Sequence, residues 1–219
     1  MAAKHINENF LHNCGLSKVK IKDKIKSITD MNFDNKQVID ILDFYLFHAP
    51  VLKSGKDADE FGLKSLKNYG WFGNSAINKL EGQLLKASSI AVFCFIKSDS
   101  IIHTLESMDL ADEICIQHPR AVMKQNCSVS IQEDGTTIIN QNETRMECLF
   151  RHIRNSFAHN HTYLFDNDNI LLEDCDESGK ISARILMPKN ALIEWMDIIK
   201  KTNEKQESNT TGLKDDQKA

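Results

Sequence analysis

Glu147-Cys148-Leu149-Phe150-Arg151-His152-Ile153-Arg154-Asn155-Ser156-Phe157-Ala158-His159-Asn160-His161 is the most informative stretch of this chain. Apolar residues recur in it at three- and four-residue spacing. At about 100° per residue, Met146, Leu149, Phe150, Ile153 and Phe157 fall on one side of a helical wheel. The spacing predicts a helix over about 142–161, capped by Asn142 or Thr144, with that side turned to the core. Arg151, Asn155 and His159 follow one another at intervals of four and form a polar stripe expected to face outward. Arg154 and His159, five apart, lie roughly 140° from each other about the axis and flank that stripe. Ala158 between them leaves room for a second surface. Two such helices facing each other would gather two arginines and two histidines round one cleft.

Downstream of this helix the pattern changes to strands. Residues 163–165, 170–172 and 181–185 are apolar or β-branched and flank the turn-rich Asp174-Cys175-Asp176-Glu177-Ser178-Gly179, which reads as a hairpin. Pro188 is placed for the first turn of a closing helix over 189–201, with Leu192, Trp195, Met196 and Ile199 facing inward. From 202 to 219 the chain is polar and aperiodic and is expected to be a disordered tail.

Upstream, residues 1–33 read as a loosely attached arm. A helix over 34–49, capped by Asp34 or Asn35, has Val38, Ile41, Leu42, Tyr45 and Leu46 on its apolar side and stops at Pro50. Residues 53–73 form a connector ending in Trp71-Phe72, core or interface anchors by their type. The longest helical stretch is expected over 74–108, with a break possible at Asp99 or Ser100. Between Pro119 and Asn140 alternation at Val129 and Ile131, a turn at Glu133-Asp134-Gly135 and the β-branched run at 136–139 predict a small hairpin.

Composition narrows the function classes. With 219 residues, 41% hydrophobic and 26% charged, the chain is long enough for one globular domain with appendages, here placed at 34–201. Three prolines and nine glycines are too few turn residues for a many-stranded sandwich. The net charge of −4 and the lack of a dense basic run exclude broad electrostatic binding to nucleic acid, so any such contact is local. The alternating Lys18, Lys20, Lys22, Lys24 and Lys26 read as a solvated face. Six scattered cysteines without a CxxC pair give neither a zinc knuckle nor a disulfide framework. No apolar run approaches bilayer length and no secretory leader is visible, so no membrane role is expected and the cytoplasm is the default location. His159 and His161 could be taken for an HxH metal pair, but on a helix they point about 200° apart and no carboxylate or cysteine lies at ligand spacing, so no metal and no cofactor are expected.

Arg154-Asn155-Ser156-Phe157-Ala158-His159 resembles the Arg-x4-His motif of HEPN domains, with the Asn that often follows the Arg. The likeness extends over 151–199, where the RHIRNSFAH helix precedes the hairpin NILLEDCDESGKISARILM and a closing helix with Trp195; it is similar to HEPN proteins of prokaryotic mobile elements and phage defence. The resemblance implies a mostly α fold, a four- to five-helix bundle with one or two small β-hairpins, that forms a homodimer through the motif helix. It implies a metal-independent endoribonuclease, a toxin or antiviral defence protein, in which the ribose 2′-OH attacks the adjacent phosphate to leave a 2′,3′-cyclic phosphate. His159 would move protons, Arg154 would stabilise the phosphate charge and Asn155 would orient either. Arg151 and His161 would add RNA contacts, and an antitoxin or regulator would be a further partner. In the branch whose members pair with nucleotidyltransferase antitoxins, a Tyr stands two residues after the His. Here that residue is His161, which makes that mode of control less supported. The alternative is a non-catalytic module that binds RNA, a nucleotide or a protein through the same face.

Overall fold

The computed structural model describes residues 18–21, 31–51, 65–97, 100–132, 137–141 and 143–211. Its strands are β1 (Val19–Lys20), β2 (Phe93–Ile96), β3 (Glu113–Ile114), β4 (Arg120–Lys124), β5 (Cys127–Ile131), β6 (Thr137–Gln141), β7 (Thr162–Leu164), β8 (Asn169–Cys175) and β9 (Ile181–Pro188). Its α-helices are α1 (Asn35–Leu42), α2 (Gly73–Ser88), α3 (Ile102–Ser107), α4 (Arg145–Ala158) and α5 (Ala191–Thr211). Five strands form one mixed sheet in the order β2-β4-β9-β8-β7. Only β2 with β4 is parallel; β4-β9, β9-β8 and β8-β7 are antiparallel. The protein is therefore an α/β fold, and the expectation of a mostly α four- to five-helix bundle is overturned. The segments anticipated as a small hairpin on a bundle, β7 to β9, instead supply three of the sheet's five strands.

Alternation along the central strands divides the core in two. Ala121, Met123, Ile170, Leu172, Ala183, Ile185 and Met187 turn to a helical layer containing Ile41, Tyr45, Leu80, Leu84, Phe150 and Trp195. Val122, Leu171 and Leu186 turn to the other face, covered by Ile101 and Leu105 of the α3 region and by Leu110, Ile114 and Ile116. Strands buried on both faces need near-continuous apolar runs, which is why β4 and β8 lack the clean alternation of a half-exposed strand. Charged residues on the second face are bonded internally. The Arg120 guanidinium donates to the carbonyls of Met108, Asp109, Cys115 and His118, and Arg184 donates to those of Leu110 and Ala111. These two arginines tie the 108–118 loop to the sheet.

The stretch expected as one long helix over 74–108 is α2, strand β2 and α3. Ser89 ends α2 in the left-handed region (φ 54°, ψ 20°), and after Ile90-Ala91-Val92 the residues Phe93-Cys94-Phe95-Ile96 form a strand parallel to β4. Short apolar runs fit either a buried helix or a buried strand, and here the β4 edge decides. A non-glycine residue in the left-handed region costs about 1–2 kcal/mol. Against this, glycine gives back about 0.4–1 kcal/mol of unfolded-chain freedom. Ser89→Gly should therefore raise stability by about 0.5–1 kcal/mol, seen as a higher urea midpoint with unchanged slope; an unchanged or lower midpoint would contradict this account of the helix end.

Asp34 caps α1 reciprocally with Gln37, and the helix then widens into a π-helical turn over 43–47. Such a turn shifts the facing of later residues, so Phe44 joins Ile41 and Tyr45 in the core. Pro188 ends β9 instead of opening the last helix, and that helix, expected to stop at 201, continues to Thr211. Its expected inner residues Leu192, Trp195, Met196 and Ile199 are all buried. The 119–140 hairpin is β5 paired with β6, while its Glu133-Asp134-Gly135 turn, Lys22, Lys24, Lys26, the Asn142 cap and the 202–219 tail beyond Thr211 lie outside the described residues.

Candidate active site

Thr144 begins α4: its hydroxyl accepts from the Glu147 backbone N–H at 3.2 Å while the Glu147 carboxylate accepts from the Thr144 N–H at 2.8 Å. Met146, Leu149, Phe150 and Ile153 are fully buried, and Phe157 packs partly buried against the same core, the inner face the periodicity gave. Tyr45 of the wide turn lies with its ring 6.4 Å from that of Phe150 and 5.8 Å from that of Phe157. The helix is thus held from two sides, by the sheet and by the 43–47 turn.

Two-sided packing changes what the polar stripe does. Arg151 does not face outward. Its Nε and one terminal nitrogen form a bidentate pair with Glu143 at 2.8 and 2.7 Å, and that terminal nitrogen also donates to the Lys124 carbonyl at 3.1 Å. Beside it, His152 is fully buried, with Nδ1 2.7 Å from Asp174 Oδ2 and Nε2 2.8 Å from the Lys124 carbonyl. Asn155 donates to the same Asp174 oxygen at 3.2 Å. The group Arg151, His152, Asn155, Glu143 and Asp174 therefore fastens α4 to the end of β4 and to β8.

Burial alone would raise both carboxyls. For Glu143, the hydrogen bonds from Arg151 and the Asn126 N–H outweigh it; for Asp174, those from His152 and Asn155 do; both carboxyls end below their ordinary values of 4.5 and 3.8. A depressed carboxyl binds fewer protons in the folded than in the unfolded state, so its stabilisation is complete above the ordinary value and is lost as pH falls through the folded one. Unfolding free energy should therefore fall steadily as pH drops below about 4. Denaturant titrations at neutral and acidic pH measure this, and Glu143→Gln should flatten the acid limb.

At the carboxyl end of α4 the remaining motif residues are open. His159 is exposed and caps the helix, its N–H donating to the Asn155 carbonyl at 2.9 Å. Asn160 then takes the left-handed conformation (φ 56°), which Asn tolerates, and turns the chain back so that the His161 N–H reaches the Ser156 carbonyl at 2.8 Å. This reversal sets the His159 and His161 rings 6.2 Å apart, centroid to centroid. Arg154 is half-buried, and its Nε donates to the Leu46 carbonyl at 3.3 Å. Of the residues singled out in the sequence, Asn155, His159 and His161 share the end of the helix. Arg154 leans on the 43–47 turn, and Arg151 is committed to Glu143.

The sequence presents His152 as a helix-surface or packing residue and Asp174 as part of a turn; the structure instead buries both, with Asp174 in β8, and adds Glu143, for which the sequence carries no signal. Nor does the sequence put a carboxylate or cysteine near the histidines. The fold supplies both, since Glu173 and Cys175 of β8 lie beside His161. No local spacing signals that approach, because β8 joins the 161–164 segment only through strand pairing. No family model matches the chain, and neither a characterised protein nor a solved structure matches it.

Proposed function

We propose that the carboxyl end of α4 is the active site of a metal-independent endoribonuclease. The observation that carries this reading is the pair of imidazoles, His159 and His161, 6.2 Å apart at the helix end they share with Asn155, with Arg154 one turn earlier on α4. Cleavage by internal transphosphorylation needs two proton transfers on opposite sides of one phosphorus, each by a group within about 3 Å of the atom it serves. One imidazole takes the proton of the ribose 2′-OH as that oxygen attacks phosphorus; the other, protonated, gives its proton to the departing 5′-oxygen. The products are a 2′,3′-cyclic phosphate and a 5′-OH end. The Arg154 guanidinium, whose other N–H groups have no partner among the described residues, binds the phosphate and offsets the charge that grows on its free oxygens. Asn155, fixed by Asp174, orients the helix end.

The Arg-x4-His motif at the end of α4 also supports this reading; the overall architecture does not enter it. The protein acts as a homodimer through this helix, in toxin or antiviral defence. Exposed Ile39 and Phe47, on the segment that receives Arg154, give the neighbouring surface an apolar edge suited to a second copy. In this reading Arg151, bonded to Glu143, holds α4 in place and is not counted among the substrate contacts.

The test is incubation of the purified protein with total and defined RNAs in EDTA, followed by analysis of the product ends. Cyclic phosphates and 5′-OH ends support the reading. RNA retained but uncut would move it to a binding module.

A further inference from the structure

We infer that His161, Glu173 and Cys175 form a binding site for a single zinc-class divalent cation at the β7–β8 edge of the sheet. One donor atom from each residue, an imidazole nitrogen, a carboxylate oxygen and a thiol sulfur, lies within 4.8 Å of the other two. Tetrahedral zinc holds such donors at about 2.0–2.3 Å, so the three need to close by only about 1 Å around an ion.

Three independent observations point to a ligand. First, His161 Nδ1 is enclosed and without a hydrogen-bond partner among the described residues. A buried polar atom left unpaired costs about 1–3 kcal/mol, and a coordinated ion would remove that cost. Second, the backbone builds the cluster deliberately. The Glu173 N–H donates to the His161 carbonyl at 3.0 Å, setting these residues opposite each other. A register irregularity falls between Asp174 and Cys175, the kind of distortion by which a strand re-aims a side chain. Third, Glu173 is already oriented: Arg184 Nε donates to its Oε2 at 2.7 Å and the Tyr163 hydroxyl to its Oε1 at 3.3 Å. Outer hydrogen bonds of this sort hold ligating carboxylates in place.

The donor mixture selects the metal class. Nitrogen, sulfur and a single carboxylate suit zinc and its neighbours and not magnesium or calcium, which take oxygen shells. Cys175 would coordinate as its thiolate, so binding releases a proton. With Cys175 ionised, the two anionic donors exceed the single cation Arg184 by one negative charge. Glu173, one of the three donors, also lines an open cleft of about 700 Å³ together with Tyr163 and Arg184. The metal takes one histidine of the proposed acid–base pair, so occupancy and RNA cleavage exclude each other. That consequence rests on the ribonuclease reading; the metal site does not.

The full chain, stripped of metal by chelator, is titrated with Co2+ and then with Zn2+. One equivalent of Co2+ should bind and develop thiolate-to-cobalt absorption, and Zn2+ should displace it. Cys175→Ser should abolish that absorption, His161→Ala should weaken binding by about tenfold or more, and Cys94→Ser should change neither. Circular dichroism checks the fold of each variant. Absence of stoichiometric binding overturns the site, as does absorption that survives Cys175→Ser. If the strand variant does not fold, His161→Ala in its partly exposed turn decides, and unchanged affinity there overturns the proposal.

Discussion

His159→Ala should lower RNA cleavage by about 10²- to 10⁴-fold, the range for loss of a general acid or base. Its effect on stability should be small, because the side chain is exposed at the end of α4 and its hydrogen bond among the described residues is made by the backbone N–H. Arg154→Ala should cost about 10²- to 10³-fold, the range for losing one group that stabilises transition-state charge. It should also carry a modest stability loss, since Arg154 bonds the Leu46 carbonyl. Single-turnover rates in EDTA on a defined RNA, with thermal melts of each variant, separate the two effects. If His159→Ala cleaves at the wild-type rate and yields the same ends, the assigned chemistry is wrong.

The second large effect concerns stability. Arg151→Ala should cost about 3 kcal/mol or more, because it strands Glu143, whose side chain is only 4% exposed, as a buried unpaired charge. Removing both partners should be far milder: Arg151→Met with Glu143→Leu should recover most of the loss. Urea titrations of the two single variants and the double variant give the coupling directly. Had Arg151 been an RNA contact, the single variant would melt like wild type and bind RNA more weakly. A melt that does not shift would return Arg151 to the substrate face.

The residues of α4 explain why part of this was legible. Met146, Leu149, Phe150 and Ile153 lie on one side of a helix whatever it packs against, and the Thr144–Glu147 cap is local too. The same holds for Leu192, Trp195, Met196 and Ile199 of α5. The wheel places Arg151 on an outward stripe because it shows which residues share a side, not how many sides are covered. The 43–47 turn and the Asp174 end of β8 cover more of α4 than its apolar residues alone require.

By itself, then, the sequence determined the amphipathic helices, the strand pairs β5-β6 and β8-β9, and the placement of Arg154 and His159 near one helix end. These depend on contacts between residues a few positions apart, which leave a period in the chain. Only the tertiary structure decided that the 90–96 run contains a strand, Phe93–Ile96, that β2 and β4 extend β7 to β9 into a five-stranded sheet, and that Glu173 and Cys175 reach His161. Strand pairing joins residues tens of positions apart through backbone groups that every residue carries, so neither the partner nor the neighbours it brings are written in the local pattern.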